Sequence, residues 1–139
     1  SAPTPTKSWA VVIERHRAGG AVLLVAGSAM GALGAHALQG VLTQARLESW
    51  ETACLYMLVM GAALVGAPAS EQGQRRALNM VLVGTWLFSG SIAGLVTLGT
   101  LEVGVTFRAV LGPVTPLGGV LMIGGWSGWA WQVWASRKT

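Results

Sequence analysis

Apolar residues gather into four long runs, roughly 18–38, 52–67, 77–100 and 116–134, each edged by Lys, Arg or Trp. A helix needs about 20 apolar residues, at about 1.5 Å each, to cross the hydrocarbon core of a bilayer. Each run therefore predicts one crossing, joined to the next by a short link. The fold class this pattern predicts is all-α: an integral membrane four-transmembrane-helix antiparallel bundle over residues 18–135, with tails at 1–17 and 136–139. The second run stops at Pro68 and is short, so its helix is predicted to begin near Thr43 or Gln44, which puts Arg46, Glu48 and Glu51 on an outer amphipathic turn. Thr115-Pro116 reads as an N-cap followed by proline at the first helical position, predicting a sharp start for the fourth helix after an extended Pro113. In the N-terminal tail, Trp9–Ile13 is an apolar patch that suits either the membrane surface or a partner protein.

Composition closes off the soluble alternative. Hydrophobic residues make up 53% of the chain and charged ones 10%, with a mean hydropathy of +0.58 and 20 glycines. A water-soluble domain of this size needs far more charged surface. Seven of the nine basic residues fall on one side of the predicted spans: Lys7, Arg15, Arg17, Arg75, Arg76, Arg137 and Lys138. Only Arg46 and Arg108 fall on the other. By the positive-inside rule both termini lie in the cytoplasm, N-in and C-in. The first run follows Arg15-His16-Arg17 and is long enough to span, so it reads as a retained anchor rather than a cleaved signal. Basic residues scattered at span edges are topology determinants and anionic-lipid contacts, not a nucleic-acid footprint. The lone Cys54, set among apolar residues, reads as a core thiol and cannot form an intramolecular disulfide.

Helices in lipid associate through close packing at small residues. Gly27, Gly31 and Gly34 in the first run, Ser89, Gly90, Ser91 and Gly94 in the third, and Gly118 and Gly119 in the fourth are predicted to mark the contact faces. Trp9, Trp50 and Trp134 sit at span edges as an aromatic belt; Trp126 and Trp129 share a helical face that Trp131 does not.

The central parts of the spans hold no Asp, Glu, Lys or Arg, which argues against a proton-coupled transporter, and no continuous polar stripe, which argues against a channel. The glycine tracts lack the Lys-Ser/Thr that a phosphate loop needs. His16 and His36 are predicted near opposite membrane faces, too far apart to share a site. At the outer face, His36, Glu51, Tyr56 and Thr115, with Glu102 nearby, are predicted to form a polar cluster. Such a cluster either binds a headgroup, a quinone ring or a proton, or acts as a hydrogen-bonded clamp around the imidazole. No catalytic residue, metal site or cofactor is expected.

Four segments in order, Gly31-Ala-Leu-Gly-Ala-His-Ala-Leu38, Trp50 with Tyr56-Met57, Leu87-Phe-Ser-Gly-Ser91, and Val114-Thr-Pro-Leu-Gly-Gly119 with Gly125-Trp126, resemble the small membrane proteins grouped as domain of unknown function 423. That group includes the transmembrane protein 256 family. The resemblance covers about residues 18–135 and implies four spans, a bacterial cytoplasmic (inner) membrane as the expected location, and no established reaction. Family members typically carry a histidine a few residues after the tyrosine of the second span; here Met60 stands there, which favours a scaffold role, or a specialised paralogue, over paired-histidine chemistry.

The expectation is a non-catalytic protein acting as an accessory or stabilising subunit of a larger membrane complex, an energy-transducing oxidoreductase assembly being the favoured host. The alternative is a binder or carrier of lipid or another hydrophobic small molecule. Its partners would be membrane lipids and other integral membrane subunits or further copies of itself.

Overall fold

A computed structural model describes residues 14–138, all of whose regular structure is helical: α1 (Arg15–Ala35), α2 (Gln44–Gly66), α3 (Gln72–Thr100) and α4 (Val105–Ser136). All four are long and apolar enough to cross a membrane. The Trp9–Ile13 segment lies outside the described residues.

Each helix start has a local cause. α1 begins earlier than the apolar run suggests, because the Glu14 carbonyl accepts from the Arg17 and Ala18 amides and draws Arg15-His16-Arg17 into the first turn. α2 starts at the predicted place: the Thr43 hydroxyl accepts from the Arg46 amide at 3.4 Å. Glu71 and Gln74 form a reciprocal capping box that opens α3. The buried Gln74 carbonyl oxygen also accepts from the Ser70 amide at 2.9 Å and so pins the preceding link.

The fourth helix departs from expectation. It does not begin at Pro116 but at Val105, after Gly104 turns the chain with φ of 69°, and it carries Pro113 and Pro116 in its interior. A mid-helix proline removes one amide donor and crowds the carbonyl four residues back. Those positions are Ala109 and Gly112, both small and exposed, so the crowding is relieved. Thr115 is no cap either; its hydroxyl crosses to Ser91 on α3. The resulting 32-residue helix is about 48 Å long, well beyond the hydrocarbon thickness.

The backbones pack as α1 on α2, α2 on α3 and α3 on α4, with α1 only grazing α3 and not approaching α4. Two crossings are very close. A Cβ added at Gly20 would lie 2.8 Å from the Gly61 carbonyl oxygen and the reverse holds, while Gly84 and Gly118 stand in the same relation at 2.7 Å. The main core, with Leu23, Met57, Leu64, Leu78 and Val81, occupies the half holding the α1 and α3 N-termini, with Trp126 and Trp129 packed against it. Away from it, Val120 and Ile123 on α4 are 64% and 70% exposed, as lipid-facing side chains are.

Only part of the predicted packing set does the packing. Gly27 meets Met57 and Leu58, Gly34 meets Trp50, Gly94 meets Leu111, and Gly118 meets Phe88. Ser89 and Ser91 are buried. Gly31 and Gly90, by contrast, have nothing within 4 Å of an added Cβ, and Gly119 only touches Phe88. The four-residue pairing of Gly27 with Gly31 is not the contact seam; Gly20, Gly27 and Gly34 are, spaced by seven.

Candidate functional site

The four polar residues predicted at the outer face are split into two environments. His36 is the exposed C-cap residue of α1, its amide donating to the Ala32 carbonyl at 3.2 Å, and Glu51 is exposed on α2. Tyr56 instead packs on Phe88 with ring centroids 4.6 Å apart, and Thr115 shares a 2.6 Å hydrogen bond with Ser91. Phe88 and Ser91 are three residues apart on α3, so Tyr56 and Thr115 approach one stripe of that helix from α2 and α4. Among the described residues no hydrogen bond or ion pair joins any two of His36, Glu51, Tyr56 and Thr115. Glu102 is exposed in the link between α3 and α4, with φ of 56°.

Below Tyr56 the side chains of α2 and α4 enclose a cavity of about 440 Å³ with Phe88 as its floor. Met60, Met122, Ile123 and Trp126 complete its walls, and Gly119 keeps α4 thin enough to leave it open. Met60 is thus no bystander: its sulfur accepts from the Trp126 indole at 3.2 Å. Trp129 stands edge-on to Trp126 at 5.9 Å and donates to the Pro68 carbonyl at 3.0 Å. These two indoles tie α4 to α2 at the inner end, where the backbones themselves do not meet. Trp131 is exposed and tilts against Trp134, over which Lys138 rests at 3.7 Å.

A second cavity, of about 500 Å³, opens towards the outer end between Arg46 and Arg108. The Arg46 guanidinium lies against α3 at Gly99, where an added Cβ would be in ordinary contact with it at 3.4 Å. Among the described residues neither arginine has a carboxylate partner.

Two features escaped the sequence reading. His16 is fully buried rather than part of a solvated basic tail. The signal was its spacing of four and seven from Gly20 and Leu23, masked by the arginines on either side. The Met60–Trp126 pair had no signal, because it joins residues 66 apart that share a face only once α3 has set the spacing between α2 and α4.

Four apolar helices, close crossings at small residues and an apolar outer surface define a polytopic helical membrane protein. The family model described as protein of unknown function (DUF423) matches residues 30–119, and the chain belongs to this family. It is similar to a UPF0382 membrane protein of Schizosaccharomyces pombe, 38% identical over 101 residues, covering 70% of this chain and 83% of the relative. It is also similar to a UPF0382 membrane protein of Staphylococcus aureus (strain bovine RF122), 37% identical over 100 residues, covering 69% of this chain and 75% of the relative. No solved structure matches the chain significantly. Relatives in a fission yeast as well as in bacteria establish a membrane as the location without specifying which one.

Proposed function

We propose that this chain is a non-catalytic accessory or stabilising subunit that packs against a larger membrane assembly, an energy-transducing oxidoreductase complex being the favoured host. A bacterial cytoplasmic membrane is the location proposed, and the seven-to-two distribution of basic residues supports both tails on its inner side. The observation that carries the reading is the free face of α1. Ala21, Ser28, Ala32 and Ala35 are exposed there around the one large side chain of the stripe, Val25, and an added Cβ at Gly31 would meet nothing within 4 Å. Small residues facing lipid gain little; facing another helix they permit the close backbone contact that drives association in bilayers. Within this chain α1 spends its other face on α2 and leaves this one unpartnered.

Purification in a gentle detergent, followed by mass spectrometry, tests the reading. A stoichiometric membrane partner or a second copy is expected, and Ala32→Leu with Ser28→Leu should release it while leaving the bundle's own melting temperature unchanged. A wild-type chain that migrates as a lone monomer and brings down no partner overturns it.

The 440 Å³ cavity between α2 and α4 favours a second reading, a binder or carrier of a lipid or other hydrophobic molecule. Native mass spectrometry of the isolated bundle should then show a retained hydrophobic adduct that Gly119→Leu, which projects into the cavity, removes.

A further inference from the structure

At the inner end of the bundle, the N-termini of α1 and α3 border a cavity of about 240 Å³. Arg15, Arg75 and Arg76 line it, together with His16, Gln72 and Asn79. Its charge is not cancelled from within. The remaining lining residue, Glu14, is engaged by Arg17 at 2.7 Å, and Glu71 at the mouth of α3 is turned onto its own helix as the capping-box carboxylate. Arg75 reaches the Ala69 and Ser70 carbonyls through a single nitrogen at 3.3 Å, leaving other N–H groups of the fork to spare. Arg15 and Arg76 have no ion pair among the described residues.

The second observation is independent of this charge. His16 is 0% exposed and lines the cavity, yet neither ring nitrogen makes a hydrogen bond. The Ala67 carbonyl lies near the ring, outside hydrogen-bond geometry; even if it took one nitrogen, the other would remain bare. The Asn79 side-chain oxygen, on the same wall, is also buried and unpaired. Buried polar groups are expensive to leave unsatisfied, so two of them facing one cavity ask for a ligand with both donor and acceptor atoms. α1 has no side-chain cap, and the positive end of its dipole lies at the same end of the bundle.

We propose that this cavity binds the headgroup of an anionic phospholipid bearing a free hydroxyl. The guanidinium forks match the oxygens of the phosphate diester. The headgroup hydroxyl donates to the Asn79 oxygen or to a His16 nitrogen. The lipid source is favoured over a soluble phosphate by what lies along the same helix faces. Val22, Met80 and Val83 are exposed one to two turns further into the membrane, where acyl chains attached to that headgroup would run. The site goes beyond the accessory reading, since a lone bundle and a docked one would both carry it.

The test uses the full chain in detergent micelles and native mass spectrometry, titrated with phosphatidylglycerol and with phosphatidylcholine. Wild type is expected to hold phosphatidylglycerol about tenfold more tightly or better, the effect of two near-surface arginines. Arg15→Gln combined with Arg76→Gln, both at exposed positions, should bring the two lipids within about twofold of each other. Arg46→Gln with Arg108→Gln, at the opposite end, should leave the preference intact. Equal binding of the two lipids by wild type overturns the proposal, and so does a preference that survives the first pair of substitutions or disappears with the second. Displacement of phosphatidylglycerol by millimolar inorganic phosphate would assign the cavity to a soluble anion and overturn the lipid assignment.

Discussion

Gly84 on α3 and Gly118 on α4 face each other so closely that a Cβ on either would lie 2.7 Å from the other's carbonyl oxygen. Backbone on backbone leaves nothing flexible to move aside. Gly118→Ala is therefore expected to lower stability by about 1–3 kcal/mol, the usual range for overpacking. Gly90→Ala, on the same helix as Gly84 but open to its surroundings, should be neutral or gain up to about 1 kcal/mol in helix propensity. Thermal unfolding of the two variants in one detergent checks the contrast; equal melting temperatures would remove the close crossing from the account.

Ser91 and Thr115 form the polar link between the outer halves of α3 and α4. Ser91 also donates back to the Phe88 carbonyl at 2.9 Å, so its hydroxyl is anchored in its own helix. A double-mutant cycle of Ser91→Ala and Thr115→Val should give a coupling of about 0.6 kcal/mol, and at most about 1.7 kcal/mol, as measured for such pairs in membranes. Additive losses would mean the two hydroxyls act separately.

Pro116 lies inside α4, where it denies the Gly112 carbonyl its usual amide partner. Pro116→Ala restores that donor and is expected to raise the melting temperature. Were the proline instead at a first helical position, the same change would be neutral or mildly harmful, because its missing donor has no role there. Unfolding curves of this single variant separate the two.

Orientation is read from charge and is testable from outside. In a Cys54→Ala background, Gly40→Cys and Leu101→Cys should react with a membrane-impermeant maleimide on intact cells or spheroplasts. Ser70→Cys and Lys138→Cys should react only after the membrane is opened. The reverse pattern would invert the topology and move the basic cavity at His16 to the outer leaflet.

Much of the architecture was legible because membrane physics is written along the chain. Apolar length gave four helices, and the shortness of the run before Pro68 placed the start of α2 near Thr43, since both depend on neighbours in sequence. Thr115-Pro116 misled for an equally physical reason. The pair carries a helix-start signal, but the threonine hydroxyl had a better acceptor across the interface and small residues four positions back relieved the ring. The four residues expected in one outer cluster lie in two environments. Tyr56 and Thr115 turn towards α3 while His36 and Glu51 stay exposed, a division set by helix rotation that no local pattern encodes.

The amino-acid order alone determined that the chain is a four-span helical membrane protein, because hydrophobic length and basic flanks act residue by residue against the bilayer. Which small residues touch, where indoles reach across to Met60 and Pro68, and that His16 is sealed beside three arginines were decided only by tertiary structure. The reason is that lipid offers every apolar face nearly the same welcome. Inside the membrane the choice of partner falls to shape, and shape exists only once the helices are together.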